Sequence, residues 1–403
     1  ARTVDLTRVV FPYIFFMGTA ALGMAALHTS GRFFVASFAP ALLNVALIAS
    51  CFGLPGFLVS GGYDGALALG IGALVGGALQ VVAQEPSIRA AGYQVKPKLD
   101  LDDRRVRAVL RRIAPMTLGL GIYYVDLIVC RRLLSGQGEG AQSYFSWAQR
   151  LCDFPQGIFI MALQTAALPS LSRFAAAEDY EGLGSTFAFG MRMALFVAFP
   201  VTALFLALGE PIAVAVFQRG QFSAEDARQT GLSLMAQGAG LWTVAAVRQL
   251  VPVFFALGDT RTPVLVSALD LLALIVLAYG LTPHLGHVGV GLAVSGSSLV
   301  QMLLLWLLLR RRLRAPCTGE ILRSAGKTVV ASLVGAAGAW GAASIAANAG
   351  AGPLARLAPA LAGGLSFAVL FVALTWALGS DELQVLGGGV ARKLGRLRGW
   401  SSS

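Results

Sequence analysis

Residues 144–172 read YFSWAQRLCDFPQGIFIMALQTAALPSLS, and this stretch decides the fold. At ~1.5 Å per residue, a helix of that length crosses a bilayer. Yet it holds Arg150 and Asp153, three positions apart and so on one helix face, followed at once by Pro155 and Gly157. A charged group at membrane depth costs at least about 2.5–3.5 kcal/mol by insertion scales, so such residues tend to face a polar cavity and mark a pathway. The competing reading is an Arg–Asp pair that ties two helices together. The pair alone leaves both open.

Working outward, composition settles the class. Hydrophobic residues make up 56% of the chain and charged ones 13%, with a mean hydropathy of +0.72. These values exclude an ordinary soluble domain and point to a polytopic all-α membrane protein. The net charge of +11 would suggest nucleic acid if it lay on one soluble face. Here it lies in short segments between apolar runs, so the positive-inside rule explains it and no nucleic-acid partner is expected.

Apolar runs of bilayer length predict about eleven helices, at 6–28, 36–54, 65–85, 107–131, 141–168, 189–208, 230–256, 262–281, 287–309, 325–346 and 357–379. Basic residues cluster at 86–112 (Arg89, Lys96, Lys98, Arg104, Arg105, Arg107, Arg111, Arg112), at 310–327 (Arg310, Arg311, Arg312, Arg314, Arg323, Lys327) and in the tail (Arg392, Lys393, Arg396, Arg398). Counting helices puts all three clusters on one side, taken as cytoplasmic. Arg131, Arg132, Arg219 and Arg228 fall on the other side, beside acids such as Glu139, Glu225 and Asp226.

Enzyme chemistry finds no foothold. His28, His284 and His287 are the only histidines, and no carboxylate or cysteine stands at ligand spacing from the last two. Cys51, Cys130, Cys152 and Cys317 are scattered without a CxxC, so neither a metal site nor a disulfide framework is expected. No GxSxG occurs and no paired carboxylates mark a catalytic centre. The glycines of the third helix, Gly72 and Gly76, form a GxxxG that reads as close helix packing rather than a phosphate loop. Asn44, polar in an apolar run, is expected to hydrogen-bond to a neighbouring helix.

The wording AQRL…FPQGIF…AL…LPSLS resembles the signature segment of the MurJ/MviN-type lipid II flippases, of the multidrug/oligosaccharidyl-lipid/polysaccharide exporter superfamily. A second stretch agrees: FQRGQF at 217–222 and RQLVPVFFALGDTRTPV at 248–264 resemble that family's FxRGxF and KxLxPxFYAxxDTxTPV, with Arg248 in place of lysine and Phe255 in place of tyrosine. Gln80 and Gln84 match a GGxLQxxxQxP pattern. The resemblance aligns from the family's fourth helix, implying that three family helices precede this chain.

What the resemblance implies is a two-lobed transporter of the bacterial inner membrane. Residues 1–98 correspond to the rear half of the first lobe, 99–314 to the second lobe, 315–380 to two extra helices and 381–403 to a basic cytoplasmic tail. An internal echo supports two repeated bundles: ALLNVALI at 41–48 resembles SALDLLALI at 267–275. The implied activity is alternating-access flipping of lipid II, an undecaprenyl-diphosphate-linked precursor, with membrane lipids and the cell-wall synthesis machinery as further partners. Alternatives are a drug or polysaccharide-lipid exporter of the same superfamily, or a non-transporting scaffold.

In the family the arginine of the signature segment serves diphosphate recognition, which makes Arg150 the main substrate-binding candidate, with Asp153 beside it and Arg248 as a second cation. A planar guanidinium suits the task because it binds phosphate oxygens with two hydrogen bonds. Asp126 and Asp270 are isolated intramembrane carboxylates, and such groups are neutralised by a partner, a proton or a bound cation. Should they approach each other, a Na⁺ or proton site follows, with Ser295 or Ser297 supplying oxygens and coupling to the ion or the membrane potential. The alternative is a carboxylate paired with Arg131 or Arg132. Asp259, ahead of Thr260–Pro263, is expected to cap the next helix. No organic cofactor is expected.

Overall fold

The computed structural model describes residues 2–93, 103–312, 318–348 and 355–385. Lys96, Lys98, Arg314, Cys317 and the tail's Arg392, Lys393, Arg396 and Arg398 lie outside the described residues. The chain divides into two compact units, Ala1–Arg107 and Ala108–Ser403. Every regular element among the described residues is helical.

The first unit holds α1 (Arg2–Val10), α2 (Tyr13–Thr29), α3 (Phe33–Gly53), the short α4 (Pro55–Ser60) and α5 (Leu67–Ala90). The GxxxG lets α5 press onto α3: a Cβ on Gly76 would meet the Leu43 Cα at 2.8 Å, and one on Gly72 would strike Ser50. That contact stripe, Leu43, Ala46 and Ser50, leaves Asn44 about 100° round the helix. Asn44 is accordingly exposed and forms no hydrogen bond among the described residues of the unit, contrary to the sequence expectation.

The second unit comprises α6 (Arg104–Leu134), α7 (Ala141–Pro155) running through a widened turn into α8 (Met161–Ala176), α9 (Tyr180–Phe217), α10 (Ala224–Gly238), α11 (Leu241–Ala256), α12 (Arg261–Leu285), α13 (His287–Arg312), α14 (Thr318–Ala347) and α15 (Ala358–Ala377). Ten helical spans among the described residues are long and apolar enough to cross a membrane. The span expected at 107–131 corresponds to the 31-residue α6, which is not among those ten.

The core of this unit is layered around α9. Its inner half packs Leu183, Phe187, Met191 and Leu195 against Leu250, Phe254, Leu305 and Ile321 from α11, α13 and α14. Its outer half breaks at Leu208 (φ −121°, ψ 21°), three residues before Pro211, whose missing N–H and bulky ring interrupt the ladder there. At the break α9 and α10 nearly touch: a Cβ on Gly231 would lie 2.6 Å from the Glu210 Cα. Below α15 the chain turns back at Ser380–Glu382, and the Glu382 side chain is buried between α9 and α14.

The turn between α11 and α12 is built as expected. Asp259 Oδ1 accepts from the Arg261 and Thr262 backbone N–H groups (3.1 and 3.0 Å), and the Thr262 hydroxyl donates to Oδ2 at 2.6 Å. Arg312, at the end of α13, closes on the same carboxylate at 2.7 Å. The hydrogen bonds from Thr262 hold the Asp259 carboxyl below the usual carboxylate range against the opposing effect of burial, with Arg312 adding to them.

Candidate functional site

The signature stretch forms one rod with a defect. Gly140 opens α7 in the left-handed region (φ 88°), where the Tyr144 ring lies so close that a Cβ would be 2.6 Å from it. Pro155 has no N–H to give the Leu151 carbonyl, and the helix widens instead of ending. Gln156–Ile160 form a π-helical turn, and the Met161 N–H reaches back five residues to the Gln156 carbonyl. Such single wide turns are frequent at functional sites. Sequence reasoning marked the Pro–Gly signal but not the wide turn.

Arg150 and Asp153 both lie on the exposed part of this rod, where the span is only 12% buried. They do not pair with each other. The Arg150 guanidinium sits 5.2 Å from the centre of the Trp147 ring. Asp153 instead lies within the field of Arg248 on α11. The cation that Asp153 feels is thus contributed by another helix, 95 positions further on. Arg248 is half-buried, and its neighbour Gln249 is buried with an unpartnered Nε2. Trp147 was missed at the sequence level, although its place one turn before Arg150 was visible.

The two intramembrane carboxylates do come together. Cys130 and Leu134 of α6 pack with Leu274 and Ala278 of α12 and Val290 and Ala293 of α13. One turn toward the opposite end of that layer stand Asp126, Asp270 and Ser297, four residues from Cys130, Leu274 and Ala293 respectively. Asp126 and Asp270 lie within each other's field, and the Oδ1 atom of each is buried without a hydrogen-bond partner. The Ser297 hydroxyl lies beside Asp270 while it also bonds the Val294 carbonyl at 3.2 Å.

Of the two serines that the sequence offers, Ser295 does not take part. Its hydroxyl donates to the Ala236 carbonyl at 2.6 Å, where α13 crosses α10. Two residues rotate a helix by about 200°, so only one of Ser295 and Ser297 can face the carboxylates. The alternative partners, Arg131 and Arg132, are exposed and form no ion pair with Asp126 among the described residues. Two half-buried carboxylates within each other's field, with a hydroxyl beside one of them, suit a monovalent cation or a shared proton.

A bundle of ten bilayer-length apolar spans, one of them carrying a charge with no ion-pair partner among the described residues, defines a multi-pass helical membrane protein. The family profile "Lipid II flippase MurJ" matches residues 1–358, and the chain belongs to that family. It is 31% identical over 301 residues to the probable lipid II flippase MurJ of Vibrio cholerae serotype O1, covering 75% of this chain and 57% of that one. Against the lipid II flippase MurJ of Burkholderia cenocepacia it is 31% identical over 315 residues, 77% of this chain and 60% of the relative. The chain thus spans little more than half the length of these relatives. Among solved structures, "Lipid II flippase MurJ, inward closed conformation" superposes with a TM-score of 0.71 at 20% identity, covering 93% of this chain and 74% of that one. An inward-facing MATE-family multidrug transporter of the MOP superfamily gives 0.66 at 16% identity, covering 78% and 72%. These two likenesses speak to the fold.

Proposed function

We propose that this chain serves the flipping of lipid II, the undecaprenyl-diphosphate-linked peptidoglycan precursor, across the bacterial inner membrane. Membership of the MurJ family supports the substrate class. The observation that carries the site assignment is an Arg150 guanidinium exposed on a membrane-crossing rod, held by a tryptophan face and by no acid. A fork of N–H donors left without a carboxylate is poised for two hydrogen bonds to phosphate oxygens. Arg248 adds a second cation, with Asp153 in its field.

Asp126 and Asp270, with Ser297, form the coupling site in this reading. Na⁺ or H⁺ binding there neutralises a pair that otherwise repels itself, and the packing of α6 against α12 and α13 responds. Alternating access of two lobes then carries the diphosphate head past Arg150 while the polyprenyl tail stays in lipid. Membrane lipids and the cell-wall synthesis machinery are the remaining partners.

The test is binding of fluorescent lipid II to the chain in nanodiscs. The R150A variant is expected to bind at least about tenfold more weakly, the loss of one charge-assisted bidentate contact. Equal binding by R150A, or rescue of a flippase-depleted bacterium by R150A where the parent rescues, overturns the assignment.

A further inference from the structure

The FQRGQF motif at 217–222 plays no part in the reading above, yet the structure joins it to Arg150. Phe217 ends α9, and Phe222 stands just before Ser223, the cap of α10. The turn between them closes with the Phe222 N–H on the Arg219 carbonyl (3.1 Å) and passes through Gly220 at φ +61°, which favours glycine. The Phe217 and Phe222 rings meet at 5.8 Å. The Trp147 ring lies 5.0 Å from Phe217, inclined by 48°. Trp147 also meets the Arg150 guanidinium, 5.2 Å from its ring centre.

The corner itself is fixed. Ser223 and Asp226 form a reciprocal capping box at the start of α10, and the Tyr144 hydroxyl donates to Asp226 at 2.8 Å. Tyr144 and Trp147 are one turn apart on α7, so this helix is anchored twice to the same corner: once by a hydrogen bond, once by ring contact. Arg150 is the next residue along that stripe. Its side chain has four rotatable bonds and no acidic partner, so only the tryptophan face restricts where the guanidinium points.

The geometry assigns Trp147 the role of a positioning residue that presents the Arg150 guanidinium to the substrate diphosphate, with the Phe217–Phe222 corner as its abutment. This rests on the assignment of Arg150 to the diphosphate and deepens it. The aromatic chain runs from the connecting loop to the cation, so the FxRGxF wording acts on binding without touching the ligand.

The experiment measures binding of undecaprenyl diphosphate to the chain in nanodiscs for the parent, W147A, W147F, F217L, R150A and R150A/W147A. W147A is expected to weaken binding by about 2- to 30-fold, the span of a cation–π contact between exposed and dry sites. W147F keeps a ring face and most of the affinity. F217L, a milder change outside the rod, gives a smaller loss in the same direction and stands in for W147A should that variant fail to fold. In the R150A background, adding W147A changes nothing further, an outcome that a merely structural tryptophan would not produce. Parent-like binding by both W147A and F217L, or an equal loss from W147A with and without Arg150, overturns the inference while R150A still reports on the diphosphate site. Parent-like binding by R150A removes that site and this inference together.

Discussion

Replacing Glu382 by alanine removes the centre of a polar latch at the end of α15. Its Oε1 accepts from the Ser324 hydroxyl and its Oε2 from the Ser380 hydroxyl, both at 2.8 Å, and Arg192 Nε lies 3.5 Å from Oε1. The side chain is only 5% exposed. Hydrogen bonds to a charged group contribute roughly 1.5–3 kcal/mol each, and breaking a buried ion pair from one side costs about 3–5 kcal/mol. Arg192 keeps a second partner, Glu320 at 3.6 Å, and 22% of its own side chain reaches solvent, so the low end applies. The expected cost of E382A is therefore about 3 kcal/mol. It should appear as lost hydrogen-exchange protection across residues 378–385, because the membrane holds the flanking helices in place. The pH dependence has a definite sign. Burial raises the Glu382 pKa, but hydrogen bonds from Ser380 and Ser324 and the charge of Arg192 outweigh it and hold the carboxyl below the usual range. The latch is thus at full strength above the ordinary glutamate pKa of about 4.3 and weakens as pH falls through the lower folded value. E382A protection within about 0.5 kcal/mol of the parent at pH 7 would refute this account of the latch, since that is the scatter of neutral surface changes.

Other expected outcomes are shorter to state. D270N removes the like charge that acts on Asp126, so the Na⁺ or H⁺ dependence of transport should flatten; unchanged dependence takes Asp270 out of coupling. Gly231 and Gly326 should respond to alanine with opposite signs. At Gly231 the added carbon meets the Glu210 backbone at 2.6–2.7 Å, whereas at Gly326 it meets nothing within 4 Å. Thermal melts should therefore show G231A lower by about 1–3 kcal/mol of overpacking and G326A unchanged or slightly higher.

The membrane class and the order of helices were legible because each bilayer-length apolar run is self-sufficient: its backbone satisfies itself, and lipid asks only for apolar side chains. The facing of Asp126 and Asp270 was legible as a condition, since intramembrane carboxylates must find one another or a cation. Partner choice was not. Asp153 lies in the field of Arg248 from another helix, and nothing local to either residue announces it. Rotation hid the choice between Ser295 and Ser297, which differ by two positions and so by opposite helix faces. Asn44 misled because a polar residue in an apolar run signals a bond only if it lies on the contact stripe. The latch at Glu382 was invisible for a different reason: three residues past the last apolar run read as the beginning of a tail.

The wide turn at Gln156–Ile160 gives the signature rod two independent azimuths. One surplus residue offsets whatever lies before it from whatever lies after it by about a quarter-turn. Substitutions upstream can then suit a polar errand without dragging the downstream half out of its greasy surroundings. A single span is in this way able to answer two chemistries that an unbroken helix would force onto one shared stripe.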